Sequence, residues 1–270
     1  MIKVLIITNG FSSFVSKLDS ISQLSVVGVL DCISDKRLES YSERENIPYK
    51  ILKEQNDQLI QWVKEKTPDV IAVFRMPFLL KKEVFSIPKY GSLNIHPSLL
   101  PKYRGPNPWF WVYYNMERES GVTIHRIDEK EDCGDIILQQ KIEIPFGTDL
   151  SKLREESVEI GTNLMIKVLC GIKEMDFIHQ PIVSPTLRAR NVFNYNSLID
   201  WQTWPVVRLW HLICGFPEII ISNPNYLLLN KILYPIGFRE DQMQTPIGEF
   251  VFIDGFYVLK CIDGSIIFKI

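Results

Sequence analysis

The sequence has no apolar run approaching the ~20 residues that a bilayer-spanning helix requires, so no membrane partner is expected. Its first ten residues place one lysine before a brief apolar run and stop at Asn9-Gly10, too short for an export segment. Cysteine is sparse. Cys32, Cys133, Cys170, Cys214 and Cys261 are odd in number and scattered, with no Cys-x-x-Cys, so neither a metal clasp nor a disulfide framework is expected, and a reducing, cytoplasmic setting is. Charge of one sign is missing as well. The 30 basic and 32 acidic side chains leave a net charge of -2 and form no block, which argues against a nucleic-acid arm or an acidic tail. No Gly-x-Gly-x-x-Gly follows the first apolar run, which argues against a nicotinamide-dinucleotide enzyme. No internal repeat or low-complexity tract is visible.

What is present is an alternation of buried strands and amphipathic helices. Residues 3–8 and 24–30 are continuous apolar runs, the pattern of strands covered on both faces in a parallel sheet. Leu59, Ile60, Trp62 and Val63 recur at helical spacing, and Pro68-Asp69 then opens another buried strand from Val70 to Phe74. Gly91 to His96 reads as one more strand, stopped by Pro97, with a Pro- and Gly-rich loop beyond it at the carboxyl edge, where open α/β sheets bind ligands. Residues 106–115 suit a short aromatic helix, residues 122–127 and 136–144 two strands joined by an acidic turn, and residues from Thr148 or Asp149 onward a long helix. These patterns predict an α/β, Rossmann-like doubly wound, mostly parallel sheet in residues 1–178 and a linker in 179–198. A small C-terminal region, 199–270, is expected to carry a helix and antiparallel β-hairpins around Asp254-Gly255 and Asp263-Gly264.

Asn94 and His96 are two apart on a strand, so both side chains leave the same face near its carboxyl end. Taken alone, the pair has a plain explanation in which Asn94 caps a loop and His96 is a buried ring with a satisfied hydrogen bond. The surrounding run, Gly91-Ser-Leu-Asn-Ile-His-Pro-Ser-Leu-Leu-Pro-Lys-Tyr-Arg-Gly105, resembles the signature of the 10-formyltetrahydrofolate-dependent formyltransferases. A second segment, Gly121-Val-Thr-Ile-His-Arg-Ile-Asp-Glu-Lys-Glu-Asp-Cys-Gly-Asp-Ile-Ile-Leu-Gln139, resembles that family's stretch around the catalytic aspartate. The resemblance covers roughly residues 1–175 in fold order and is most specific between 91 and 145.

That resemblance implies a catalytic Asn94, His96 and Asp132, with Asp135 holding the turn and Cys133 a packing choice. Asn94 would donate its amide N–H to the oxygen that gains negative charge, an interaction whose loss typically costs ~2.7–4 kcal/mol. His96, with an ordinary pKa of ~6.5, would accept the amine proton, and Asp132 would orient it. The resemblance also implies N10-formyltetrahydrofolate as co-substrate, no metal, and a folate site at Arg75, Met76, Pro77, Phe78 and Leu79 with Asp128 and Glu131. An apolar loop with exposed backbone suits a flat pterin.

Within the family the expected acceptor is a nucleotide-linked, dTDP-type 3- or 4-amino-dideoxy sugar used in surface polysaccharide synthesis. The basis is charge: residues 201–270 carry five basic side chains (Arg208, Lys231, Arg239, Lys260, Lys269) against six acidic ones (Glu218, Glu240, Asp241, Glu249, Asp254, Asp263), a poor match for tRNA phosphates. Tyr103, Lys102, Arg104 and Asn107 would face the sugar and diphosphate, and Trp201 or Trp204 would stack on the base. Methionyl-tRNA formylation is the alternative activity, and a folate- or sugar-nucleotide-binding protein without turnover the alternative that is not an enzyme. Phe250, Phe252, Phe256, Tyr257 and Phe268, in alternating patterns, are expected to be exposed on the β appendage, which makes a homodimer a further expectation.

Overall fold

The continuous apolar runs form strands buried on both faces in the computed structural model, which describes residues 1–226, 229 and 231–270. Among these residues a seven-stranded sheet contains β1 (Ile2–Thr8), β2 (Leu24–Asp31), β3 (Tyr49–Ile51), β4 (Val70–Phe74), β5 (Ser92–His96), β6 (Glu119–Arg126) and β7 (Ile136–Glu143). Their spatial order is β3-β2-β1-β4-β5-β6-β7, with β3 through β5 parallel and β6 antiparallel to β5. β4 is buried at every position, as a Val-Ile-Ala-Val-Phe run covered from both sides should be. The helices are α1 (Ser13–Asp19), α2 (Lys36–Arg44), α3 (Asp57–Lys66), α4 (Lys82–Phe85), α5 (Pro108–Tyr114), α6 (Leu150–Gly171) and α7 (Val206–Gly215). Helix α3 starts where the Asn56 side chain accepts the Gln58 and Leu59 N–H groups, and it stops at Thr67, which turns left-handed.

The chain divides into two units, one of residues 1–105, 120–142 and 155–188 and the other of 106–119, 143–154 and 189–270. This division does not follow the boundary expected at residues 179–198. Hydrogen bonds explain where 179–188 goes: Thr186 accepts the Tyr103 N–H, and Ser184 donates to the Pro101 carbonyl, so the segment joins the first unit. Aromatic packing explains 106–119, because Phe110 meets Phe216 at 5.4 Å between ring centroids and Tyr113 stacks on His211 at 4.7 Å, all within the second unit.

The second unit also holds an antiparallel sheet of β8 (Tyr234–Glu240), β9 (Phe250–Ile253), β10 (Phe256–Lys260) and β11 (Gly264–Lys269), ordered β8-β11-β10-β9. Asp254-Gly255 and Asp263-Gly264 lie at the β9–β10 and β10–β11 turns, as expected. The aromatic pattern needs correcting. Phe268, on the interior strand β11, is fully buried and packs at 5.9 Å from Phe250, whereas Phe252, opposite Tyr257 on the edge strand β9, and Phe256 are the two of these aromatics that stay exposed.

Gly161 places α6 directly against β5. A Cβ there would lie 2.6 Å from Ile95 Cγ2, a methyl fixed on a strand residue between Asn94 and His96. Alanine ordinarily gains ~1 kcal/mol over glycine inside a helix, whereas overpacking costs about 1–3 kcal/mol. Gly161→Ala is therefore expected to lower thermal stability by about 2–4 °C, read by differential scanning calorimetry. A raised melting temperature would show that the sheet yields without strain.

Candidate active site

Strand parity and the antiparallel register of β6 assemble the site within the first unit. Asn94 and His96 share a face of β5, and His125 lies directly opposite Asn94 on β6. Asp132 is brought to them by the turn after β6, with φ of 54°, a left-handed conformation that aspartate tolerates better than most residues. Two residues on, Gly134 has no room for a side chain, since a Cβ would meet the Arg126 carbonyl oxygen at 2.0 Å. The turn thus requires a glycine at 134 to bring Asp132 inward.

His96 is buried, with Nε2 3.0 Å from the Tyr103 carbonyl oxygen and Nδ1 3.5 Å from Asp132 Oδ2. A carbonyl only accepts, so Nε2 carries the proton and Nδ1 of the neutral ring keeps its lone pair on the Asp132 side. The tautomer of His125 follows in the same way. Its Nδ1 donates to the Arg126 carbonyl at 2.8 Å, so Nε2 accepts from Asn94 Nδ2 at 3.1 Å. Asn94 therefore commits one amide N–H to His125 and retains the other. Asp132 Oδ1 lies 3.5 Å from His125 Nε2, and Oδ2 accepts the Gly105 N–H at 2.9 Å.

Electrostatics assign opposite roles to the two groups. Burial is the largest influence on His96 and lowers its pKa; the Asp132 carboxylate opposes that shift and His125 adds to it, so the ring stands neutral near pH 7 and free to take a proton. Burial alone would raise Asp132. His96, His125 and the Gly105 N–H together overcome it and hold the carboxyl well below the usual carboxylate range. Burial raises the Cys133 thiol, the reverse of what a nucleophilic thiolate needs.

The remaining expected site residues are dispersed. Arg75 to Leu79 follow β4 beside β5, with Met76 and Phe78 packed against the core and Leu79 exposed. Asp128 is exposed and accepts the Lys130 N–H, while Glu131 pairs with Arg188. The Lys102 carbonyl accepts from Ser98 Oγ. Tyr103 and Arg104 are both buried. Instead of facing outward, Arg104 donates to Gln180 Oε1 and to the Pro181 and Ile182 carbonyls. Asn107, before α5, and buried Trp201 belong to the second unit, as does Trp204, whose ring carries the Arg208 guanidinium at 3.6 Å. Sequence reasoning missed His125, although the residue stands inside the second matching segment; the register that sets it opposite Asn94 is a tertiary fact. It also missed Gln180, in a stretch read as linker.

A profile described as formyl transferase matches residues 3–169. The methionyl-tRNA formyltransferase of Clostridium beijerinckii is 37% identical over 151 residues, covering 56% of this chain and 49% of that protein. The chain thus spans about half the length of the curated relatives it matches. Two solved structures share the fold. HypX from Aquifex aeolicus in complex with tetrahydrofolic acid has a TM-score of 0.62 at 18% identity, over 98% of this chain and 43% of that one. Glycinamide ribonucleotide transformylase 1 from Symbiobacterium toebii has a TM-score of 0.59 at 16% identity, over 66% of this chain and 94% of that one. The curated relatives overturn the expected nucleotide-linked amino-sugar acceptor, since those at 32–37% identity are methionyl-tRNA formyltransferases.

Because the Asp132 charge favours the His96 imidazolium, Asp132→Asn is expected to lower the His96 pKa further, with the ring staying neutral to more acid pH. An NMR titration of the ring in the ligand-free protein measures this. A His96 pKa that stays put or rises would mean that the 3.5 Å pair carries no coupling.

Proposed function

This chain belongs to the formyl transferase family, and from that premise we propose that it moves a formyl group from N10-formyltetrahydrofolate to the amino group of methionyl-tRNA. The observation that carries the transfer is the convergence of Asn94, His96 and Asp132 at the carboxyl end of β5, with the tautomers fixed by carbonyls. The acceptor rests on the curated relatives.

The residues suit the group. A reduced folate bound there supplies an electrophilic formyl carbon. Half-buried Met76 and Phe78 with exposed Leu79 would offer apolar surface to the pterin beside β5. Asn94 holds its spare N–H for a carbonyl oxygen, in a site that burial makes low in dielectric, where a fixed donor stabilises growing negative charge without reorganising. His96 takes the proton lost by the attacking amine at Nδ1, the resulting imidazolium lies beside ionised Asp132, and that proton would pass to N10 of the folate as the bond between N10 and the formyl carbon breaks and tetrahydrofolate leaves. The Tyr103 carbonyl keeps Nε2–H in place throughout, so a single atom of the ring handles the proton.

Formyl transfer from N10-formyltetrahydrofolate to charged methionyl-tRNA, measured as formylmethionine after deacylation, tests this reading. Asn94→Ala is expected to lose about 10²–10³ in kcat, as removal of one such donor does. His96→Ala and Asp132→Ala should lose at least as much while remaining folded by circular dichroism. Full turnover in both would remove the site. Transfer to another amine with methionyl-tRNA untouched would overturn the acceptor and leave the site standing.

A further inference from the structure

The two loops that surround His96 do not hold each other through the catalytic groups alone. Tyr103, whose carbonyl fixes Nε2–H, comes from the loop after β5, and Asp132 comes from the turn after β6. Both residues are left-handed, at φ of 57° and 54°, and neither is a glycine, so each conformation requires outside support. Gln180 supplies a link between them. The residue is 2% exposed, and its carboxamide Nε2 donates to the Gly134 carbonyl at 2.6 Å and to the Asp132 carbonyl at 3.2 Å. Its Oε1 accepts from Arg104 Nη2 at 2.8 Å and from Arg104 Nε at 3.2 Å. A carboxamide has two donors and accepts twice, and all four positions are filled.

Arg104 carries the link onward. It is the residue between Tyr103 and Gly105, whose N–H donates to Asp132 Oδ2, and its other hydrogen bonds go to the Pro181 and Ile182 carbonyls. One buried amide therefore joins the main chain on both sides of Cys133 to the residue that separates the His96 acceptor from the Asp132 donor.

We propose that Gln180 is a positioning residue: by bridging Arg104 to the Asp132 and Gly134 carbonyls it sets the spacing of Tyr103 and Asp132 around His96, and so the tautomer and placement of that ring. In naming a residue for formyl transfer the proposal rests on the function proposed above, but its first consequence, a locked Nε2–H tautomer, belongs to the ligand-free protein. The geometry also says which half of the amide matters. Its oxygen fastens the 180–182 strap to Arg104, and its nitrogen fastens the Asp132 turn.

Two substitutions separate these halves. Gln180→Glu keeps an acceptor for Arg104 and replaces both donors by an oxygen that repels the Asp132 and Gly134 carbonyls, so the strap stays and the turn is released. Gln180→Leu removes both halves. In each, His96 is expected to change from one tautomer to a mixture, read by ¹⁵N NMR of the imidazole without ligand. The kcat for formyl transfer is expected to fall about 10²-fold, the scale of an ångström's misplacement, with the KM for N10-formyltetrahydrofolate within about threefold. Should Gln180→Leu fail to fold, Gln180→Glu alone decides. A folded Gln180→Glu protein with a single Nε2–H tautomer and full kcat would overturn the proposal, as would a rise in KM with kcat intact. If the wild type formylates no acceptor supplied, the NMR result still judges Gln180, and the function fails separately.

Discussion

The site depends on a buried carboxylate that has to stay charged. Asp132 is taken out of bulk water, which by itself favours its neutral form, and it stays ionised because the Gly105 N–H donates to Oδ2 and because positive charge on the neighbouring His96 and His125 rings favours the anion. Remove the carboxylate charge and His96 loses the group that stabilises its protonated form. Three local features serve this constraint: the left-handed backbone at Asp132, the absence of a side chain at Gly134, and the Gly105 N–H aimed at Oδ2. Each is unfavourable or unremarkable alone. Together they bring a carboxylate to a place that a plain strand-to-strand turn would not reach.

The mixed character of the sheet matters as much. β5 is parallel to β4 on one side, so its carboxyl end opens beside the loop that follows β4. On the other side it is antiparallel to β6, which puts His125 level with Asn94. The antiparallel direction sets the last residues of β6 beside the middle of β5, so the turn that follows β6 and carries Asp132 starts next to Asn94. Because His125 Nε2 accepts from Asn94, the amide of Asn94 is oriented by a residue whose own tautomer is fixed by a main-chain carbonyl. The donor, the base and the carboxylate thus draw their orientations from backbone groups, which hold position better than side chains do.

Much of the fold was legible because buried parallel strands leave continuous apolar runs: β1, β2, β4 and β5 lie where Lys3 to Thr8, Leu24 to Leu30, Val70 to Phe74 and Gly91 to His96 predict them. The short β3 and α4 carry too few residues to show a period. Asn94, His96 and Asp132 were legible through two long motifs, not through spacing, since His96 and Asp132 lie 36 positions apart with α5 and the antiparallel β6 between them. Gln180 was not legible at all. A polar residue between Pro181 and a histidine reads as surface, and only its four hydrogen bonds show it to be buried. The buried Phe268 was misjudged because alternation does not say which strand lies inside the sheet: Phe268 is on interior β11 and the exposed Phe252 on edge strand β9, both opposite Tyr257.

Arg104 and the acceptor show the same limit from the side of charge. An arginine in a loop at the carboxyl edge of an α/β sheet suggests a phosphate ligand, yet here the guanidinium is buried and its donors reach Gln180, Pro181 and Ile182. A buried guanidinium needs several acceptors at once, and a strap of main-chain carbonyls provides them more steadily than a ligand that comes and goes. Charge counted along residues 201–270 leaves out placement, and the fold does not reverse its sign: the unit to which those residues belong also includes 106–119, 143–154 and 189–200, which add four basic and five acidic side chains. Arg154, Arg190 and Arg208 of that unit lie over the rings of Trp109, Trp111 and Trp204, where stacking as well as net charge governs what the arginines can bind. A tally of signs over a sequence segment leaves out the rings that orient the charges, so it is where the arginines sit, not the sum of signs, that bears on recognition.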